Sequence, residues 1–211
     1  MMHDPPIVYD HLSAQLADEI FPRWKTAPPM GGDLPFRLLA RAAFTSVQPR
    51  TAEMMPMAGV NLVTLHHSGF SEGFFEDSLP DTAKYLEYIR QFHAGGETGQ
   101  RGWADIGYHF AVDRAGRIWQ LRPLQWQGAH VKNHNGGNMG IVALGNFDLQ
   151  VPPDPLIAAL CTFTDWLRRI YELPGTAVHI HGSLADEPTS CPGSLLKKAL
   201  EHWAMRDKAA V

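Results

Sequence analysis

Two residues near the C-terminal end could do chemistry together. His181 closes the run Val178-His179-Ile180-His181, and Cys191 follows ten positions later in Thr189-Ser190-Cys191-Pro192-Gly193. Zinc takes imidazole nitrogen and thiolate sulfur readily, and a catalytic zinc keeps three protein ligands and one open position. A second apolar run, Val60-Asn61-Leu62-Val63-Thr64-Leu65, also ends in histidine, at His66-His67. Side chains alternate across a strand, so only one of His66 and His67 can address a given site, whereas His179 and His181 share a side. Two strands that end in histidine, with a cysteine returning on a loop, make a ligand set for Zn2+. They place it just beyond strand ends, where α/β sheets collect their sites.

The other histidines read more simply. The chain has 11 of them. His3 and His11 fall in the N-terminal part, His202 on the last helix and His134 in a polar loop, all as surface residues. His93 sits near a helix end, where it can meet the last carbonyls. His67 and His109 are candidates to hold a ligand tautomer, or else core or surface residues. Cys161 flanks the apolar stripe of a helix and reads as a small core residue. With 2 cysteines in all, no disulfide scaffold is indicated.

The elements that must position these groups alternate between strand and helix. Val60–Ser68 reads as a buried strand. Asp81 caps a helix that runs to about His93 with Tyr85, Leu86, Ile89 and Phe92 inward, and Gly95-Gly96 stop it. Tyr108–Val112 and Ile118–Leu121 form a hairpin around Gly116. Gly128–Gly137 is a polar loop, and Met139–Gly145 another buried strand. Asp154 to Leu173 is the clearest helix, with Leu156, Leu160, Phe163, Leu167 and Ile170 on one stripe. The strand to His181, a loop to Cys191, and a final helix with Pro192 in its first turn and Leu195, Leu196, Ala199, Leu200 and Trp203 inward complete the pattern. The expected fold is α/β, a single mixed β-sheet flanked by helices, over residues 55–211. Residues 1–54 read as a short, mostly helical extension: one helix over His11–Phe21, a break at Pro28-Pro29-Met30-Gly31-Gly32, and a second helix over Pro35–Phe44.

Composition excludes several classes. Hydrophobic residues are 45% and charged residues 19% of 211, an ordinary globular balance. A formal charge of −4 gives no pull toward nucleic acid or an anionic membrane. No apolar run reaches membrane-spanning length and no signal peptide is visible, which points to a cytoplasmic product or one released by lysis, with secretion left open. Nothing in the sequence sets an oligomeric state.

Five ordered motifs resemble one family. They are Leu65-His66-His67-Ser68, Gly102-Trp103-Ala104-Asp105-Ile106-Gly107-Tyr108-His109-Phe110, Gly128-Ala129-His130, Met139-Gly140-Ile141-Val142-Ala143-Leu144-Gly145-Asn146-Phe147 and Thr189-Ser190-Cys191-Pro192-Gly193. Together they look like the zinc amidases of the peptidoglycan recognition protein and phage-lysozyme type, over about residues 58–205. The resemblance implies hydrolysis of the amide between N-acetylmuramic acid and L-alanine, in peptidoglycan or muropeptides. It assigns His66, His181 and Cys191 as zinc ligands, and Tyr108 and Thr189 as catalytic. His130, Trp126, Trp103 and His67 fall where substrate binds. The gap from His181 to Cys191 is two residues longer than in most recognition proteins. It is similar to that of the cytoplasmic anhydro-muropeptide amidases, but their strand glutamate has no counterpart between Met139 and Leu144, which favours the tyrosine-using branch. Two other readings stand beside catalysis: a muropeptide-binding module without activity, and a structural zinc with His179 as fourth ligand.

Overall fold

Strict side-chain alternation builds the centre of the molecule. The computed structural model describes residues 8–26, 33–95 and 101–209. In chain order the elements are β1 (Val8–His11), α1 (Ala14–Ile20), β2 (Asp33–Leu39), β3 (Leu62–His67), α2 (Leu79–Ala94), β4 (Phe110–Val112), β5 (Arg117–Gln120), β6 (Asn138–Ala143), α3 (Asp154–Ile170), β7 (Val178–Ile180), α4 (His181–Leu184) and α5 (Ser194–Ala209). The strands form one sheet in the order β1-β2-β5-β4-β6-β3-β7. The β1–β2 and β4–β5 pairs are antiparallel and the others parallel, so the sheet is mixed, as expected. Among the described residues no helix is long and apolar enough to cross a membrane.

The two faces carry different cores. Val63 and Leu65 of β3, Phe110 and Val112 of β4, and Ile141 and Ala143 of β6 pack with Leu156, Leu160, Phe163 and Leu167 of α3 and with Leu196 and Leu200 of α5. Each of these side chains except Ala143 contributes roughly 1.5–3 kcal/mol on leaving water. The alternate residues Ala111, Trp119 and Val142 face α2, where Leu86 and Ile89 cover them. That second face is the one that carries the cleft.

Capping defines α2. Ser78, not Asp81, is the N-cap: its Oγ accepts from Asp81 N–H and donates to the Asp81 carboxylate. Pro80 then sits in the first turn, where a missing N–H costs nothing. α5 likewise begins at Ser194, so Pro192 lies in the turn before it rather than in its first turn.

The N-terminal part departs most from expectation. Residues 33–39 form a strand, not a helix, and only Arg41–Ala43 make a short 3-10 turn. The segment Leu34-Pro35-Phe36-Arg37-Leu38 alternates half-buried or buried with exposed, which is the period of a strand. Pro35 is tolerated because pairing to β5 starts only at Arg37 and the register to β1 shifts between Tyr9 and His11. β1 and β2 therefore extend the same sheet that holds the site, across the boundary expected at residue 54. The expected helix around His11–Phe21 is present as α1, with Ser13 as N-cap. His3, the Pro28–Gly32 break, Gly96 and the side chain of Trp203 lie outside the described residues.

Candidate active site

Register decides which histidines meet. Thr64 pairs with His179 and Leu65 with Ile180, so one step further along the parallel pair His66 lies opposite His181. The strand ends at Ile180, and the chain turns into α4 at His181. The rings of His66 and His181 come to 4.6 Å between centroids. Cys191 returns to the same point. One ligand atom from each of His66, His181 and Cys191 lies within 4.8 Å of the others, the single such cluster among the described residues. His179, one pairing step back, is not in it.

Hydrogen bonds fix where the proton of His66 sits. His130 Nε2 donates to the carbonyl of Asn138 at 3.1 Å, which leaves His130 Nδ1 as an acceptor. His66 Nε2 lies 3.0 Å from that atom and donates to it. His66 Nδ1 is then bare and points at Cys191 Sγ, 3.7 Å away. Burial, together with the neighbouring imidazoles, pushes the His66 pKa well below its usual value, so it is neutral and its lone pair is available. Burial also lowers His130, to about 3. Gly140 makes the arrangement possible, since a Cβ there would stand 2.6 Å from the His130 ring.

The cysteine is presented from the other side. The His67 backbone N–H points at Cys191 Sγ at 3.4 Å. The Asp148 carboxylate accepts from Ser194 N–H at 2.9 Å, Leu195 N–H donates to Phe147 O at 2.9 Å, and Cys191 N–H donates to Thr189 Oγ1 at 3.2 Å. Burial raises the thiol to about 12. Two imidazoles and one thiol are a donor set that fits zinc and does not fit oxygen-seeking magnesium or calcium.

Beyond this cluster opens a cleft of about 530 Å³ lined by His93, Arg101, Trp103, Tyr108, His130, His181 and Thr189 among others. Tyr108 stands at 5.2 Å from His66, ring to ring. Burial, and then Cys191, raise its phenol above the usual value, so the hydroxyl stays protonated and can donate. Lys132, Asn135, Asp186 and Glu187 form the outer rim. There Asp186 takes Asn133 Nδ2 at 2.8 Å and His134 Nε2 at 3.0 Å, and Lys132 meets Glu187 at 3.4 Å. His134, expected as a solvated residue, thus has a partner.

The structure redistributes the expected substrate residues. Trp103 lines the cleft. His130 lines it too, but its ring nitrogens are taken up by His66 and Asn138. Trp126 is not in the cleft: it bridges Pro56, and its carbonyl receives His109 Nε2 at 3.0 Å. His67 is not in the cleft either. Alternation turns it to the opposite face from His66, where its Nδ1 accepts from Phe147 N–H at 3.2 Å. His93 was missed as a cleft residue. Its Nδ1 accepts from Gly107 N–H at 3.1 Å and its ring lies 4.8 Å from Trp103. Its signal was the apolar stripe of α2, which it extends by one turn from Ile89.

The family model for N-acetylmuramoyl-L-alanine amidase matches residues 56–194. Peptidoglycan-recognition protein LB of Drosophila melanogaster is 29% identical over 173 residues, 79% of this chain and 68% of that protein. The N-acetylmuramoyl-L-alanine amidase of Sus scrofa is 31% identical over 130 residues, 57% of this chain but only 20% of its own length. Among solved structures, a mutant of Drosophila PGRP-LB in complex with tracheal cytotoxin superposes with a TM-score of 0.68 at 26% identity, covering 79% of this chain and 94% of that one.

Proposed function

The chain belongs to the N-acetylmuramoyl-L-alanine amidase family, and from that premise we infer that it is a zinc-dependent hydrolase acting on peptidoglycan or muropeptides. It cleaves the amide between the lactyl group of N-acetylmuramic acid and the amino group of L-alanine. The observation that carries this reading is the convergence of His66, His181 and Cys191 within 4.8 Å at the foot of a cleft that Tyr108 lines.

His66 through Nδ1, His181 and the Cys191 thiolate would hold the ion, and His130 keeps the His66 proton on the far nitrogen. When bound, zinc supplies a Lewis acid that lowers the pKa of a water toward ~7 and polarises the scissile carbonyl. The protonated Tyr108 hydroxyl donates to the carbonyl oxygen as negative charge grows there. Thr189 Oγ1 already accepts from Cys191 N–H, which leaves its own hydroxyl hydrogen free to donate into the cleft. Water adds to the carbonyl carbon, the C–N bond breaks, and the departing nitrogen takes a proton to leave as the free amine of the stem peptide. The tracheal cytotoxin bound by the Drosophila relative supports a muropeptide as the ligand class.

The test is to incubate the purified protein with a defined muramyl peptide and count new amine ends, with and without a chelator. Release that chelation abolishes and zinc restores supports the reading. Binding of the peptide with no amine released would replace it with recognition alone.

A further inference from the structure

The wall of the cleft is held from behind by a residue that precedes the family-matched region. A helix leaves its last four carbonyls without partners inside the helix. At the end of α2 the returning chain serves three of the carbonyls: Arg101 N–H donates to Phe92 O at 3.1 Å, Trp103 N–H to His93 O at 2.7 Å and Gly102 N–H to Gly95 O at 2.9 Å. Ala94 O remains, and Arg50 Nη1 donates to it at 3.2 Å. The same guanidinium reaches the returning strand of chain, with Nη2 donating to Gly102 O at 3.2 Å and Trp103 O at 2.9 Å. Arg50 N–H adds a bond to Ala104 O at 3.1 Å, and Nε is oriented by Glu53 at 2.8 Å.

A second arginine of the same segment holds the next stretch. Arg41 grips both oxygens of buried Asp105 at 2.9 Å and donates to Leu121 O at 2.7 Å. Residues 102–108, which carry Trp103 and Tyr108 into the cleft, are thus tied down by two guanidinium groups from outside the matched region. Arg41 acts in the interior, so its loss would be felt by the whole fold. Arg50 is partly exposed, with 45% of its side chain open to solvent, so its influence is local.

We propose that Arg50 is a positioning residue for substrate binding, setting the Trp103 wall of the cleft through the carbonyls of Ala94, Gly102 and Trp103. The planar fork of arginine can bridge three carbonyls at once, whereas lysine offers a single point of charge. The proposal rests on the amidase reading for the identity of the ligand, a muropeptide, but the clamp itself does not.

The experiment compares Arg50→Ala and Arg50→Lys with the wild type in the full chain. In Arg50→Ala, amide exchange over residues 101–108 should speed by about tenfold while residues 62–67 and 138–143 keep their wild-type rates. KM for a soluble muramyl peptide should rise about fivefold with kcat within about twofold, and Arg50→Lys should fall between. Unchanged exchange over 101–108, a uniform rise across the sheet, or a loss of kcat at constant KM overturns the proposal. If the wild type neither binds nor cleaves muropeptides, the proposed function falls, and the exchange result still judges the clamp.

Discussion

The foot of the cleft and its outer rim use the same residue types to opposite effect. At the foot, His66, His130 and the Asn138 carbonyl form a chain in which each proton has one place to be. His66 is 1% exposed and the chain ends on backbone, so nothing can rotate without losing a bond inside the protein. At the rim, His134, Asn133 and Lys132 meet Asp186 and Glu187, side chain to side chain in water. Lys132 and Glu187 are 77% and 80% exposed. Solvent can replace any of these partners, and salt screens them. A histidine bonded to a buried backbone carbonyl is held in one orientation; one bonded to an exposed carboxylate is a surface contact.

That contrast can be broken or sharpened by substitution. The largest effect belongs to Cys191→Ala, expected to lose zinc on gel filtration and to lower turnover of a muramyl peptide by at least about a hundredfold. Retention of stoichiometric zinc in that variant, measured by elemental analysis, would contradict the ligand assignment. Next comes His130→Ala, which frees the His66 proton and should weaken zinc binding by about ten- to a hundredfold in competition with a chromophoric chelator.

A smaller effect is a pH dependence. His93 is buried, and that burial, followed by Arg101 and Arg122, lowers its pKa to about 3. An unfolded histidine titrates near 6.5, so between about 6.5 and 3 the unfolded chain holds a proton that the folded one does not. The stability that neutral His93 provides is complete above about pH 6.5 and is lost as pH falls toward 3. His93→Gln should flatten the dependence of unfolding free energy on pH in that window by up to one proton, ~1.4 kcal/mol per pH unit, as read by urea titrations. An unaltered slope would mean that His93 takes up its proton in the fold as readily as in the unfolded chain. The smallest effect is reserved for the rim: Asp186→Ala should change kcat/KM by less than about twofold. A drop of tenfold or more would show that the rim, too, is part of the working site.

Periodicity makes much of this legible in the sequence. β3, β6, α2 and α3 announce themselves by runs and stripes, because their packing partners are all apolar and repeat at the period of the element. Strand ends narrowed the ligands to one of His66 and His67, one of His179 and His181, and Cys191; the resemblance chose His66 and His181, and those are the two that meet Cys191. What was hidden depended on contacts that no spacing encodes. β2 was misread because Pro35 suits a helix start as well as a strand whose pairing has not begun. Trp126 and His67 were placed in the substrate groove by motif position, yet one turns toward Pro56 and the other to the far face of the sheet. The role of His130 needed the Asn138 carbonyl, eight residues on, to be brought beneath it by the polar loop.

The pairing of β2 with β5 bears on the order in which the molecule is made. Leu38 lies beside Ile118, about 80 residues further along the chain. During synthesis β2 can pair with β1 at once, but its other edge emerges long before β5 exists, and an unpaired edge is an invitation to mispairing until that partner arrives. Once β5 is in place, β2 covers that edge in turn. One edge of an early-made hairpin is therefore among the last in the sheet to be satisfied.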